Sequence, residues 1–187
     1  MRKNINKKIY ASAMMFILVI MFFVPVIQSQ ENQANSLPLT KMDWWDISWS
    51  YRKLITIDHT NIASDLTNFP VLLSIPSDSD LALRAQDDGD DITFVLYSDD
   101  TTQLNHELEL FDGATGRTIA WINVNSLSST QDTKLWMYYG NPSCGSQQNI
   151  PGTWNTGYLM VQHMNETSST IDDSTGYNND GISTGTN

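Results

Sequence analysis

Cysteine is almost missing from this sequence: Cys144 stands alone, so no intrachain disulfide can staple the fold. Basic side chains are nearly as scarce once the N-terminus is passed. Beyond residue 29 only Lys41, Arg52, Lys53, Arg84, Arg117 and Lys134 face 21 acidic side chains, a balance of −15. A surface of that sign repels phosphate backbones, which excludes nucleic acid as a partner and leaves divalent cations and neutral polymers such as glycans. A long apolar run occurs at the N-terminus alone, and beyond it no stretch repeats apolar residues at helical spacing for more than a short turn. Stability has to come from the packing of strands, or from a bound metal.

What is present begins with a basic cluster. Arg2, Lys3, Lys7 and Lys8 precede an uncharged apolar run from Ile9 to Ile27, broken by Pro25 and followed by Ser29. That is the layout of a secretory signal over residues 1–29. The run also approaches the ~20 residues that span a bilayer, so an uncleaved N-terminal anchor helix is the alternative. Under either reading the basic flank places the remainder outside the cytoplasm, extracellular or at the cell surface, with membrane contact through this segment only. Residues 30–43, polar and with one proline, read as a linker.

From Trp44 onward strand signals follow one another: YRKLITID, FPVLLSIP, DITFVLYS, QLNHELELF, RTIAWINV and KLWMYYG. They are rich in β-branched and aromatic residues and are separated by Gly, Asp, Asn, Ser and Pro. In QLNHELELF the period is two, with Leu104, His106, Leu108 and Leu110 on one face and Asn105, Glu107 and Glu109 on the other. DLALRAQ alone suggests a helical turn, with Asp80 as its cap. SDDTT and DGATG are tight turns, which makes the strands around them an antiparallel meander. The expectation is an all-β protein, an antiparallel β-sandwich of jelly-roll-like type over residues 44–142, then a linker over 143–157.

The runs YRKLITIDHT, DLTNFPVLLSI, AQDDGDDITF and LNHELELFDGATGRTIAWINVNSLSSTQDTKLWMYYGNP, in that order, resemble the prokaryotic family known as domain of unknown function 2341. The resemblance implies a secreted or surface-attached protein in which this domain stands before a concanavalin A-like module of the laminin-G type. Residues 158–187 are similar to the first strand and loop of such a module, with His163 in place and Gln162 where a tryptophan is usual. On that reading the sequence is a fragment or a truncated form of a longer surface protein. The 158–187 stretch then either joins the preceding domain or stays poorly ordered, because a strand without its sheet leaves an unpaired edge.

Two acidic loops are candidate calcium sites, calcium being the one cofactor the residues suggest. AQDDGDDIT gathers Asp87, Asp88, Asp90 and Asp91 around a glycine, and IDDSTGYNNDGIS gathers Asp172, Asp173, Asn179 and Asp180. The plain alternative for both is a solvated turn rich in Asp and Asn. Trp44, Trp45 and Trp49 form a candidate ligand-binding cluster, since indole faces stack on sugars, against a role in sealing the end of the sandwich; Trp121 and Trp136, within strands, are read as core. Asn165 opens a glycosylation sequon, Asn165-Glu166-Thr167. Neighbours on a strand point to opposite faces, so His106 with Glu107 and Asp58 with His59 do not form acid–base pairs, and no catalytic residue is assigned. Cys144, among turn residues, is read as a loop thiol.

These readings converge on a non-catalytic extracellular or cell-surface binding or adhesion module, with a glycan or another envelope polymer as partner. A structural spacer or envelope-layer component, and an accessory domain of a secreted glycoside hydrolase, are the alternatives.

Overall fold

The strand-forming runs separate into two antiparallel sheets in a computed structural model, which describes residues 44–184. Chain order gives β1 (Tyr51–Ile57), β2 (Leu66–Ile75), β3 (Thr93–Leu96), β4 (Gln103–Leu104), β5 (His106–Asp112), β6 (Arg117–Leu127) and β7 (Thr133–Tyr139). One sheet has the order β1-β7-β3-β4 and the other β2-β6-β5. The expected signal or anchor helix and the linker lie outside the described residues. No helix among those described is long and apolar enough to cross a membrane.

Alternation decides what each sheet turns inward. Phe94, Leu135, Met137 and Tyr139 from the four-stranded sheet meet Ala120, Ile122 and Val124 from the three-stranded sheet in one buried cluster, the arrangement of a β-sandwich. Leu81 enters the same cluster from α1 (Ser79–Arg84). The cap of that helix is Asp78 and not Asp80: its carboxylate accepts hydrogen bonds from the backbone of Asp80 and Leu81. Asp80 instead reaches Arg84, one turn on.

QLNHELELF is not one strand. Leu104 pairs with Phe94 in the four-stranded sheet, whereas His106 pairs with Ile122 in the three-stranded sheet, so the chain crosses between layers at Asn105. The meander is therefore shared between two sheets. A register shift between Leu108 and Leu110 adds a bulge to β5.

Past β7 the chain turns back across the outer face of the three-stranded sheet. The short helix α2 (Ile150–Thr153) is fixed there by Asn123, whose side chain donates to the Thr153 carbonyl at 2.9 Å, and by Asn105, which donates to the Gly152 carbonyl at 3.1 Å. Trp154 is buried immediately after it. Residues 158–184 follow, with β8 (Thr170–Ile171) and β9 (Gly181–Ile182) forming a small antiparallel pair.

Candidate functional site

The outer face of the four-stranded sheet carries a stack built by alternation on β1 and β7. Leu135, Met137 and Tyr139 point into the core, so Trp136 and Tyr138 point away from it, and Arg52 on β1 lies opposite Tyr138. The Arg52 guanidinium sits 4.0 Å from the Trp136 ring centroid, 5.1 Å from Trp44 and 5.8 Å from Tyr138. It donates to the Tyr138 hydroxyl at 3.0 Å and lies 3.8 Å from the Asp100 carboxylate. A planar cation between aromatic faces fixes their spacing without closing the outer face.

The stack continues outward. Tyr97, 45% exposed, packs on Trp136 at 5.3 Å between centroids, and the Lys134 ammonium lies 5.8 Å from the Tyr97 ring. Tyr97 and Lys134 also line a cleft of about 280 Å³ whose other walls include Ser98, Asn125, Ser126, Ser128, Gln131 and Asp132. Hydroxyl and amide groups beside an aromatic edge are the chemistry that recognises a polyol: ring faces take C–H surfaces and polar groups take hydroxyls. A larger cleft of about 400 Å³, between Met164, Glu166, Ile171 and Ser183, has no aromatic side chain in its wall.

Of the three tryptophans proposed as a platform, Trp49 is buried, and its indole donates to the Asp91 carbonyl at 2.7 Å. Trp44 and Trp45 are half-buried and pack on Tyr138 at 5.6 and 5.9 Å between centroids. Trp136, read as core from its strand, is on the outer face. Trp121 is likewise outside the core, half-buried against Trp154 at 5.2 Å. The signal for both was the alternation of their own strands.

The DDGDD loop is drawn inward at one position only. Gly89, at φ +75°, makes the turn, with a Cβ there set to meet Phe111 at 2.9 Å. Asp91 is buried beyond it and accepts from the backbone of Gln86, Gly140 and Asn141 at 2.9, 2.6 and 2.9 Å. Asp87 and Asp88 are exposed, and Asp90 is half-buried. Asp173 behaves like Asp91. Against the desolvation that would raise it, backbone amides of Val161, Thr175 and Asn179 hold its carboxyl at about 2. Asp180 accepts from the Asp173 backbone, while Asp172 and Asn179 are exposed. Among the described residues, the side chains that bring three ligand atoms within 4.8 Å of one another are those of Asp58, His59 and Asp132, at the surface.

His106 is fully buried, edge-on to Phe94 at 5.1 Å. Burial pushes its ring down to about 4, and the backbone near Leu104 and Ile92 offsets part of that without giving either nitrogen a well-formed hydrogen bond. Glu107 leaves by the opposite face, as its strand position requires. Cys144 is half-buried near Asp91, and desolvation followed by that negative charge pushes its thiol up, away from the reactive thiolate. Asn165 is exposed and donates weakly to the Glu109 carbonyl at 3.4 Å.

The covering segment brings together side chains that the strand pattern left facing solvent. His163 lies between Glu107 and Glu109, and Trp121 and Trp154 flank it. The legible half of this group was the shared face of the two glutamates. Its partner was illegible, because nothing local in residues 158–184 says which surface they cover.

Compared with known proteins, the sequence matches the family model described as Domain of unknown function (DUF2341) over residues 88–181. The match takes in residues 158–181, the stretch expected to open a second module. No curated protein and no solved structure matches the chain.

Proposed function

The chain belongs to the DUF2341 family, and from that premise we propose that it is a non-catalytic binding or adhesion module, working outside the cell or at its surface, with a glycan or related envelope polymer as ligand. One observation carries the reading. Tyr97 and Lys134 join the Trp136–Arg52–Trp44 stack to a cleft lined by hydroxyl and amide side chains. Sugar rings would lie on Tyr97 and the edge of Trp136, with their hydroxyls toward Ser98, Asn125 and Gln131. The extracellular setting rests on the basic-then-apolar N-terminus. A concanavalin A-like continuation of residues 158–187 is a separate proposal, supported by their likeness to the start of such a module.

The experiment is a glycan array, followed by calorimetry on any hit, with the full chain and its Tyr97→Ala and Trp136→Ala variants. Each substitution is expected to weaken binding about tenfold, equivalent to ~1.4 kcal/mol. If the wild-type chain ignores every polysaccharide and purified envelope offered, the reading fails. Equal affinity in wild type and both variants would place the ligand elsewhere on the molecule.

A further inference from the structure

Glu107 and Glu109 flank Leu108 on β5, and despite the bulge at Glu109 both carboxylates meet His163 on the outer face of the three-stranded sheet. Both are withdrawn from solvent, with side-chain exposures of 7% and 24%. Glu107 accepts from the Trp154 indole at 2.8 Å and the Ser174 hydroxyl at 2.6 Å, and Glu109 from the Trp121 indole at 2.8 Å. Each also faces His163. The ring Nε2 is 3.2 Å from a Glu107 oxygen and Nδ1 is 3.2 Å from a Glu109 oxygen.

A neutral imidazole has one N–H and one bare lone pair. It carries no charge to set against the two carboxylates. The buried Nε2 makes no well-formed hydrogen bond to Glu107, so charge rather than hydrogen-bond geometry ties the ring to the pair, and only the doubly protonated ring carries that charge. Among the described residues no lysine or arginine forms an ion pair with either glutamate, so His163 is the available countercharge. Two ionised carboxylates held this close under a cover are costly without one.

We propose that Glu107, His163 and Glu109 form a proton-operated latch: residues 158–182 dock on the three-stranded sheet with a proton bound at His163 and loosen when it is lost. Around the ring β5 supplies the two glutamates, β6 supplies Trp121 and the chain after α2 supplies Trp154, while Ser174 of the covering segment lies against Glu107. None of the last three titrates in the relevant range. Docking gives the protonated ring two anionic partners, so docking is coupled to the uptake of one proton at His163: it strengthens as the pH falls and weakens as the pH rises. Opening would take His163 and Ser174 away from the two carboxylates while Trp154 stays on Glu107 and Trp121.

Two measurements on the full chain test the latch. Imidazole nitrogen NMR of the docked state should show two N–H groups on His163; a single N–H would overturn the proposal. Amide-exchange protection of residues 158–182, corrected for intrinsic rates, should fall with rising pH by up to about tenfold per unit, the limit for one coupled proton. Glu109→Gln can keep an oxygen for the Trp121 indole while removing one of the two negative charges beside the ring. Its protection should therefore fall less steeply over the same range. Protection independent of pH in the wild-type chain, or the same slope in Glu109→Gln, would overturn the latch. The NMR experiment needs no variant, so it decides even if Glu109→Gln misfolds.

Discussion

At the residue scale the sharpest consequence belongs to His106. Its strand position was legible as inward-facing, and the core around it sets its chemistry: desolvation lowers the ring from 6.5 to about 4. The unfolded chain then binds a proton that the folded chain refuses between those two values, so stability declines as the pH falls through that window and levels off below it. The total for a shift of this size is ~3 kcal/mol. Asp173 and Asp99, held at about 2, act in a separate and lower window, as the pH drops from 3.8 toward 2. His106→Leu should abolish the upper decline and leave the lower one. Urea midpoints of both proteins, measured from neutral pH down to about 2, would show it; parallel curves above pH 4 would mean that His106 is not the group responsible.

At the element scale, strand identity was readable because each run alternates and each is bounded by turn residues. RTIAWINV illustrates this, with Ala120, Ile122 and Val124 buried in register opposite β2 and β5. Sheet membership was not readable. Nothing within QLNHELELF tells Leu104 to pair in one layer and His106 in the other, since that choice depends on where β6 and β3 lie. The helix cap failed for a related reason: Asp78 and Asp80 are both good cap residues, and the tertiary contact of Lys53 with Asp78 fixes which one is used. Asp78→Ala removes the side-chain acceptor of two backbone N–H groups together with that ion pair, and should cost about 1–2 kcal/mol in a chemical denaturation curve. Asp80→Ala would serve as the comparison, because Asp80 engages Arg84 and Tyr139 but caps nothing. Equal losses in the two variants would argue against the Asp78 cap.

At the scale of the whole molecule, the two sheets have unequal outer faces. The four-stranded sheet carries a stack that is exposed at Tyr97 and buried at Tyr138 beneath Trp44 and Trp45, whereas the three-stranded sheet is roofed by α2, Trp154 and residues 158–184. That roof is tied down by groups from distant parts of the chain: Asn123 to Thr153, Trp154 and Ser174 to Glu107, and Asn155 to the Asn68 carbonyl at 2.8 Å. Polar bonds of this kind contribute ~1 kcal/mol each at most sites, and the buried indole of Trp154 adds apolar contact with Trp121 and Tyr158. Against this stands the backbone entropy of an extended, weakly paired stretch, ~1–2 kcal/mol per ordered residue. The balance differs along the roof. A chain ending after Thr153 loses Trp154 and bares Trp121, so its denaturation midpoint should drop. A chain ending after Gly176 keeps Trp154, His163 and Ser174 and loses β9 with the Asn179 and Asp180 contacts to Asp173, so its midpoint should drop by less than that of the shorter chain. Thermal melts of the two truncations would separate these cases. If the shorter chain melts where the full chain does, the roof contributes nothing to the sandwich beneath it.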